Sequence, residues 1–166
     1  MTRAAERIER VCGQAVRELR AAGSQHRWAH YRAVLADGRA AFAKVAGTGL
    51  GGVFEAEARG LRWLGEAGAV GVPGVLGWDE ATLVVSWVAA GRADAAAAER
   101  FGRDLVRMHR AGAPSFGAPW PGFIASLFLP NDDLALPAAP AGRGRPVGGR
   151  GPRPLRRGAG VLRARA

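Results

Sequence analysis

Asp37-Gly38 is the strongest local constraint on how this chain can fold. The pair separates two strand-like runs, Trp28–Leu35 and Ala40–Ala46. Asp-Gly between such runs signals a hairpin with a two-residue turn. Within the first run Trp28, His30, Arg32 and Val34 alternate with Tyr31, Ala33 and Leu35, as the two faces of a strand require. Gly23-Ser24 upstream is a second turn signal. Three antiparallel strands are therefore expected at the start of the fold, with a glycine turn between the first two.

The third of these strands carries Lys44, the only lysine among 24 Lys and Arg residues. A compact ammonium on a flexible stem meets a phosphate as a point charge, which a planar guanidinium does not reproduce. Gly47 to Gly52 then form a glycine-rich connection into a predicted helix over 53–67. Phe54, Glu57, Leu61 and Leu64 recur at three- and four-residue spacing and should share its inner face. Glu55–Arg59 and Arg62–Glu66 are (i, i+4) pairs for the outer face. Glu57 thus falls among hydrophobes, where a carboxylate is costly unless a cation meets it. Lys44 is the only basic residue of the apolar strand before the helix, so an ion pair between the two is expected.

A helix over 4–12 ended by Gly13 should precede the strands. Beyond the central helix, 75–78 and 82–88 read as strands, the latter apolar enough for a central position. Ala95–Ala111 reads as a second long helix with Phe101, Leu105 and Met108 inward, and 113–130 as an ordered loop rich in Pro, Gly and aromatics.

Charge divides the chain. Residues 134–166 hold eight arginines, no acidic residue and only six residue types, so the net +10 falls to +2 for residues 1–133. Such a segment cannot bury enough apolar surface to offset its ordering entropy. It reads either as an Arg/Gly/Pro-rich arm for anionic polymers or as the translation of a shifted reading frame in a GC-rich gene. The cut through the preceding fold favours the second, and a nucleic-acid partner is not expected. One cysteine, Cys12, excludes an internal disulfide and a Cys-rich metal site. The charged first ten residues lack the apolar core of a signal peptide, and no run approaches the ~20 apolar residues of a membrane span. A cytoplasmic protein without a membrane partner is expected.

His26 and His30 are not grouped with cysteines or carboxylates as metal ligands, and Ser115 has no neighbouring His and Asp to form a triad. His109 reads as a helix C-terminal residue. The five tryptophans read as core and cleft-lining residues.

Five strands with one helix between the third and fourth, a strand lysine and a helix glutamate thirteen residues on match a protein-kinase-like amino-terminal lobe. The segments LADGRAAFAKV, FEAEARGLRWLGEAGAVGVPGVLG, LVVSWVAAGR and LVRMHRAGAPSFGAPWPGFIASLFLPND closely resemble the fructosamine kinase (ketosamine 3-kinase) family, a relative of aminoglycoside and choline kinases. The resemblance covers about residues 15–132. It implies an α+β fold, with a five-stranded antiparallel sheet and one inserted helix, and the carboxy-terminal lobe missing. Residues 1–132 would form the nucleotide-binding lobe and the start of the interlobe segment, and 133–166 a disordered tail. The implied activity is ATP-dependent phosphorylation of the sugar moiety of glycated amines, with ATP and magnesium as cofactors and a glycated protein or small ketosamine as substrate. Lys44 would contact the nucleotide's phosphates and Glu57 would be its helix partner. Ser86 and Val88 would hydrogen-bond adenine through the backbone, and Gly23, Ser24 and Gln25 would cover the phosphates. The turn departs from the family in having one glycine where two or three are usual, which puts close backbone approach to phosphate in doubt.

The groups for the chemical step are not found. Phosphoryl transfer needs an Asp to position the acceptor hydroxyl, and Asn and Asp to hold magnesium. The three histidines are followed by Arg27, Tyr31 and Arg110, so no His-X-Asp loop occurs, and Asp132 and Asp133 have no asparagine at catalytic-loop spacing. No catalytic residue and no metal ligand is assigned, and an inactive chain is expected. Two alternatives stay open: a phosphotransferase of the aminoglycoside or choline kinase type with another small substrate, and a non-catalytic nucleotide-binding fragment.

Overall fold

The structure is a computed structural model that describes residues 2–113 and 115–131, and the backbone of 134–135. The described elements fall in one unit, Met1–Leu136. Apart from the backbone of 134–135, the tail lies outside the described residues, as do its boundary at 132/133 and Asp132 and Asp133.

Helix α1, Arg3–Cys12, begins where the Thr2 side chain accepts a hydrogen bond from the Ala5 N–H and ends on Gly13 in the left-handed conformation. Strands β1 (Val16–Gln25), β2 (Trp28–Leu35) and β3 (Ala40–Ala46) follow, then helix α2 (Val53–Glu66), β4 (Val75–Asp79) and β5 (Thr82–Ser86). The five strands form one antiparallel sheet in the order β1-β2-β3-β5-β4. The sheet is buried on both faces. Ile8 of α1 packs with Ala33, Leu35, Ala41, Ala43 and Val84 on one side. Phe54 and Ala58 of α2 pack with Trp28, Ala46, Leu83 and Val85 on the other. This is the α+β arrangement expected from the sequence.

Both hairpin turns differ from the expected form. The Gly38 N–H bonds the Leu35 carbonyl and the Leu35 N–H bonds the Arg39 carbonyl. The loop is thus a tight turn followed by Gly38 at φ 87°, one residue longer than a bare Asp-Gly turn. Asp37 stays essential to it, accepting the Arg39 N–H through its carboxylate. The Gly23-Ser24 turn is not a turn. Strand β1 runs through both residues to Gln25, and the chain reverses at His26-Arg27. Gly23 instead sits at an irregularity in the pairing after Ala21, with φ 112°, a bulge conformation that costs a side-chain-bearing residue far more.

The remaining differences concern burial. Strand β5 ends at Ser86, so Trp87 and Val88 lie beyond it. On α2 the buried residues are Val53, Phe54 and Ala58, while Leu64 is 42% exposed. The pair Glu55–Arg59 forms at 2.7 Å. Arg62 lies with its guanidinium 4.4 Å from the Trp78 ring centre and makes no ion pair with Glu66. Helix α3, Ala95–Ala111, is capped by the Asp94 side chain but buries no residue, and Phe101 is 55% exposed rather than inward. The expected loop contains a strand β6 (Ser115–Phe116) and a hairpin of β7 (Gly122–Ile124) and β8 (Leu127–Leu129). Strand β6 pairs with β9, Leu134–Ala135. Among the described residues no helix is long and apolar enough to cross a membrane.

Candidate functional site

Register explains why the ion pair can form. In three successive strand pairings Gly23 lies opposite His30, His30 opposite Lys44, and Lys44 opposite Leu83. Directly opposed residues share a sheet face. These four therefore make one row across the sheet, on the side covered by α2. Lys44 Nζ reaches Glu57 Oε1 at 2.6 Å and Oε2 at 2.8 Å. Their side chains are 21% and 35% exposed, so the pair is half-buried, as expected from helical phase. A charge-assisted, two-oxygen contact of this kind fixes the ammonium while leaving it donor capacity for a further anion.

Trp28 lies beneath the pair. It is 9% exposed, with Lys44 Nζ 5.8 Å from its ring centre. Its indole Nε1–H donates to His30 Nε2 at 3.1 Å. Edge-to-face contacts join it to Phe54 of α2 and to His26 at the β1–β2 turn. Next to it opens a cleft of about 390 Å³, lined by Gln25, His26, Trp28 and Glu57 on one side and by Trp120 to Phe123 on the other.

The expected site residues divide into two groups. Lys44 and Glu57 are in contact, and Gln25 shares the cleft with Glu57. Gly23 and Ser24 are on the same strand end, Gly23 two strands or about 10 Å from Lys44 in the shared row. Ser86 and Val88 are at the other end of the strand row. Ser86 lies three residues past Leu83 on β5, about 10 Å along the strand. The Ser86 N–H donates to the Gly74 carbonyl, and the Gly74 N–H goes to the Ser86 hydroxyl. The Trp87 N–H bonds the Ala40 carbonyl, and the Val88 N–H has no partner among the described residues. The chain beyond Ser86 is exposed, with Val88 at 64%.

Sequence reasoning assigned no role to Trp28 and His30 at the pair. The signal was present: a hairpin turning about Asp37 sets residue 30 opposite residue 44. No group of three or more His, Cys, Asp or Glu side chains able to hold a metal occurs among the described residues. Nor is Cys12 a nucleophile in waiting: burial pushes its thiol above the ordinary value, and the nearby Arg39 guanidinium offsets this only in part.

The sequence matches the fructosamine kinase family over residues 2–133. The fold matches the crystal structure of a "putative fructosamine-3-kinase" from Thermobifida fusca YX-ER1, at 43% identity and a TM-score of 0.75, over 80% of this chain and 47% of that one. A second such structure, from Haemophilus somnus 129PT, shares 16% identity and a TM-score of 0.64 over 78% of this chain and 46% of that one, and supports the fold alone. No curated protein matches the chain significantly. The chain spans about half the length of the solved structures it resembles. With a match across most of its sequence and a close structural relative, the chain belongs to the fructosamine kinase family.

Proposed function

We propose that this chain is the nucleotide-binding side of an ATP-dependent kinase that phosphorylates the sugar moiety of glycated amines. The observation that carries this reading is the Lys44–Glu57 pair, held on the sheet face beside an open cleft. Lys44 neutralises phosphate charge, and Glu57 holds the ammonium where the phosphates pass. The backbone at Ser86–Val88 receives the adenine edge through a carbonyl and an N–H. Gly23, Ser24 and Gln25, on the hairpin end across the row, cover the phosphates. The roughly 10 Å between Lys44 and Ser86 along the strands leaves room for the ribose. Bound ATP with magnesium supplies the phosphoryl group, and use of ATP goes with a cytoplasmic setting.

The chemical step needs more than these residues contribute. Residues 1–166 contain no His-X-Asp sequence, and the described residues bring no metal-holding cluster together. The chain therefore binds nucleotide without turning it over unaided. That same observation favours a second reading, a nucleotide-binding fragment with no catalysis of its own. Because the described site holds no acceptor-binding group, the acceptor could equally be another small alcohol of the kind used by aminoglycoside and choline kinases.

The test is calorimetric titration of the purified chain with ATP and magnesium. Lys44→Ala should weaken binding about 10-fold or more, the effect of losing a charge-assisted contact. Equal affinity in wild type and Lys44→Ala, or no binding by the wild type, removes this reading.

A further inference from the structure

We infer that Trp28 is a positioning residue for Lys44, setting the lysine and α2 against each other through one indole ring. The inference deepens the nucleotide-binding reading above and rests on it for its functional meaning. Four contacts meet on this side chain. The face of the ring attracts the Lys44 ammonium from 5.8 Å, within the range at which an aromatic face draws a cation. Its edge packs on Phe54, in the first turn of α2 and three residues before Glu57, with ring centres 5.5 Å apart. The indole N–H is anchored on His30 Nε2, which must then be the unprotonated ring nitrogen. His30 is itself the residue opposite Lys44 in the ladder.

An ordinary core residue would need only the second of these contacts. A leucine or phenylalanine could fill the volume, yet neither could be anchored by a hydrogen bond, and leucine offers no ring face to the ammonium. The fourth contact, edge-to-face with His26 at 5.6 Å, extends the same ring to the hairpin end proposed to cover the phosphates. Trp28 thus joins the three parts that the nucleotide must find in register: the covering turn, the lysine and the helix.

Lys44 gives this inference a direct readout, because it is the only lysine in the chain. Its acetylation by N-hydroxysuccinimidyl acetate at one fixed pH can be followed by peptide mass spectrometry, which separates it from the N-terminal amine. Trp28→Leu should raise the Lys44 rate at least threefold without nucleotide. Trp28→Phe, which keeps the ring, and His30→Ala, which removes the anchor, should give smaller rises of about twofold. Val84→Ala serves as the control, since Val84 is fully buried on the opposite face of the sheet and touches none of these groups. It should lower the melting temperature and leave the Lys44 rate at the wild-type value. A wild-type rate in Trp28→Leu, or an equal rise in Val84→Ala, overturns the inference. If Trp28→Leu does not fold, wild-type rates in both Trp28→Phe and His30→Ala overturn it instead. Protection of Lys44 by ATP and magnesium in the wild type is scored separately. Its absence would remove the nucleotide reading while leaving the positioning result intact.

Discussion

Gly77 of β4 is a position where no side chain fits at all. A methyl group there would come within 2.0 Å of the Val11 carbonyl oxygen in α1, and that oxygen belongs to backbone that cannot rotate away. Gly77→Ala should therefore destabilise the chain by about 1–3 kcal/mol or more, the range for overpacking, seen as a lower urea midpoint. A midpoint equal to wild type would mean that α1 can lift off β4 without cost. The Lys44–Glu57 pair has a different energetic character. At 21% and 35% exposure it lies between a surface pair, worth about 0–1 kcal/mol, and a buried one, where losing a partner costs about 3–5 kcal/mol. Glu57→Ala is expected to cost about 1–2 kcal/mol and to weaken nucleotide binding as Lys44→Ala does. A Glu57→Ala chain with wild-type affinity for ATP would show that the pair only braces the fold. Both partners were legible in the sequence, one by its singularity and the other by its helical phase. Leu64 shared that phase and is nonetheless 42% exposed, since a period identifies a face but not how far along the helix the sheet reaches. The indole of Trp28 read as core, and it is core. Its second task depends on cross-strand register, which a one-dimensional pattern does not display.

Among the elements, α1 is held to the sheet by both apolar and ionic contacts. Ile8 is fully buried, Arg7 donates to the Ala46 and Gly47 carbonyls, and Arg10 meets Asp79 at the end of β4 at 2.6 Å. Burial is the largest single influence on Asp79 and would raise its pKa. The Ala81 N–H and the Arg10 guanidinium together outweigh it and hold the carboxyl below its ordinary value of 3.8. A carboxylate with a lowered folded pKa adds stability that is complete above the unfolded pKa and lost as pH falls through the folded one. Unfolding free energy should therefore decline as the pH drops below about 4, and Asp79→Asn should reduce the steepness of that decline. Asp37 is also held below its ordinary value, chiefly by the Arg39 N–H, and so contributes to the decline with the same sign. An unchanged slope in Asp79→Asn would show that the Arg10 contact contributes nothing in solution. Element boundaries were legible wherever local chemistry marks them: Gly13 ends α1, and the alternation over Trp28–Leu35 and the Asp37-Gly38 signal bound β2 and the start of β3. The β7–β8 hairpin was not, because Gly122–Ile124 and Leu127–Leu129 are three-residue strands with no Asn-Gly or Asp-Gly between them. Its turn instead places Ala125 at φ 53°, a conformation alanine rarely marks in a sequence.

For the whole molecule, the question is what a lobe of this fold contributes to a kinase reaction. Family membership was legible because several motifs fall in one order along 15–132, each tied to a structural need: the hairpin, the strand lysine, the helix glutamate and the strand that follows. The behaviour of residues 134–166 was argued from composition; Leu134–Ala135 pair through the backbone with β6, and the rest lie outside the described residues. The described surface carries exposed large apolar side chains, with Phe101 at 55%, Ile124 and Leu127 at 64% and Phe128 at 57% exposure. Transfer of a phosphoryl group requires the acceptor hydroxyl, the metal and the γ-phosphate to be held together, and on the proposed reading the described residues serve only the last. Purified chain incubated with ATP, magnesium and a fructosyl-amine should therefore form no phosphorylated sugar above the rate of a Lys44→Ala control. Turnover equal in both would come from a contaminating kinase. Robust turnover that Lys44→Ala abolishes would overturn the inactive reading and place the acceptor and metal groups in this chain after all. Turnover that appears only when a separately produced chain bearing a His-X-Asp loop is added would assign those groups to the second chain and the nucleotide to this one.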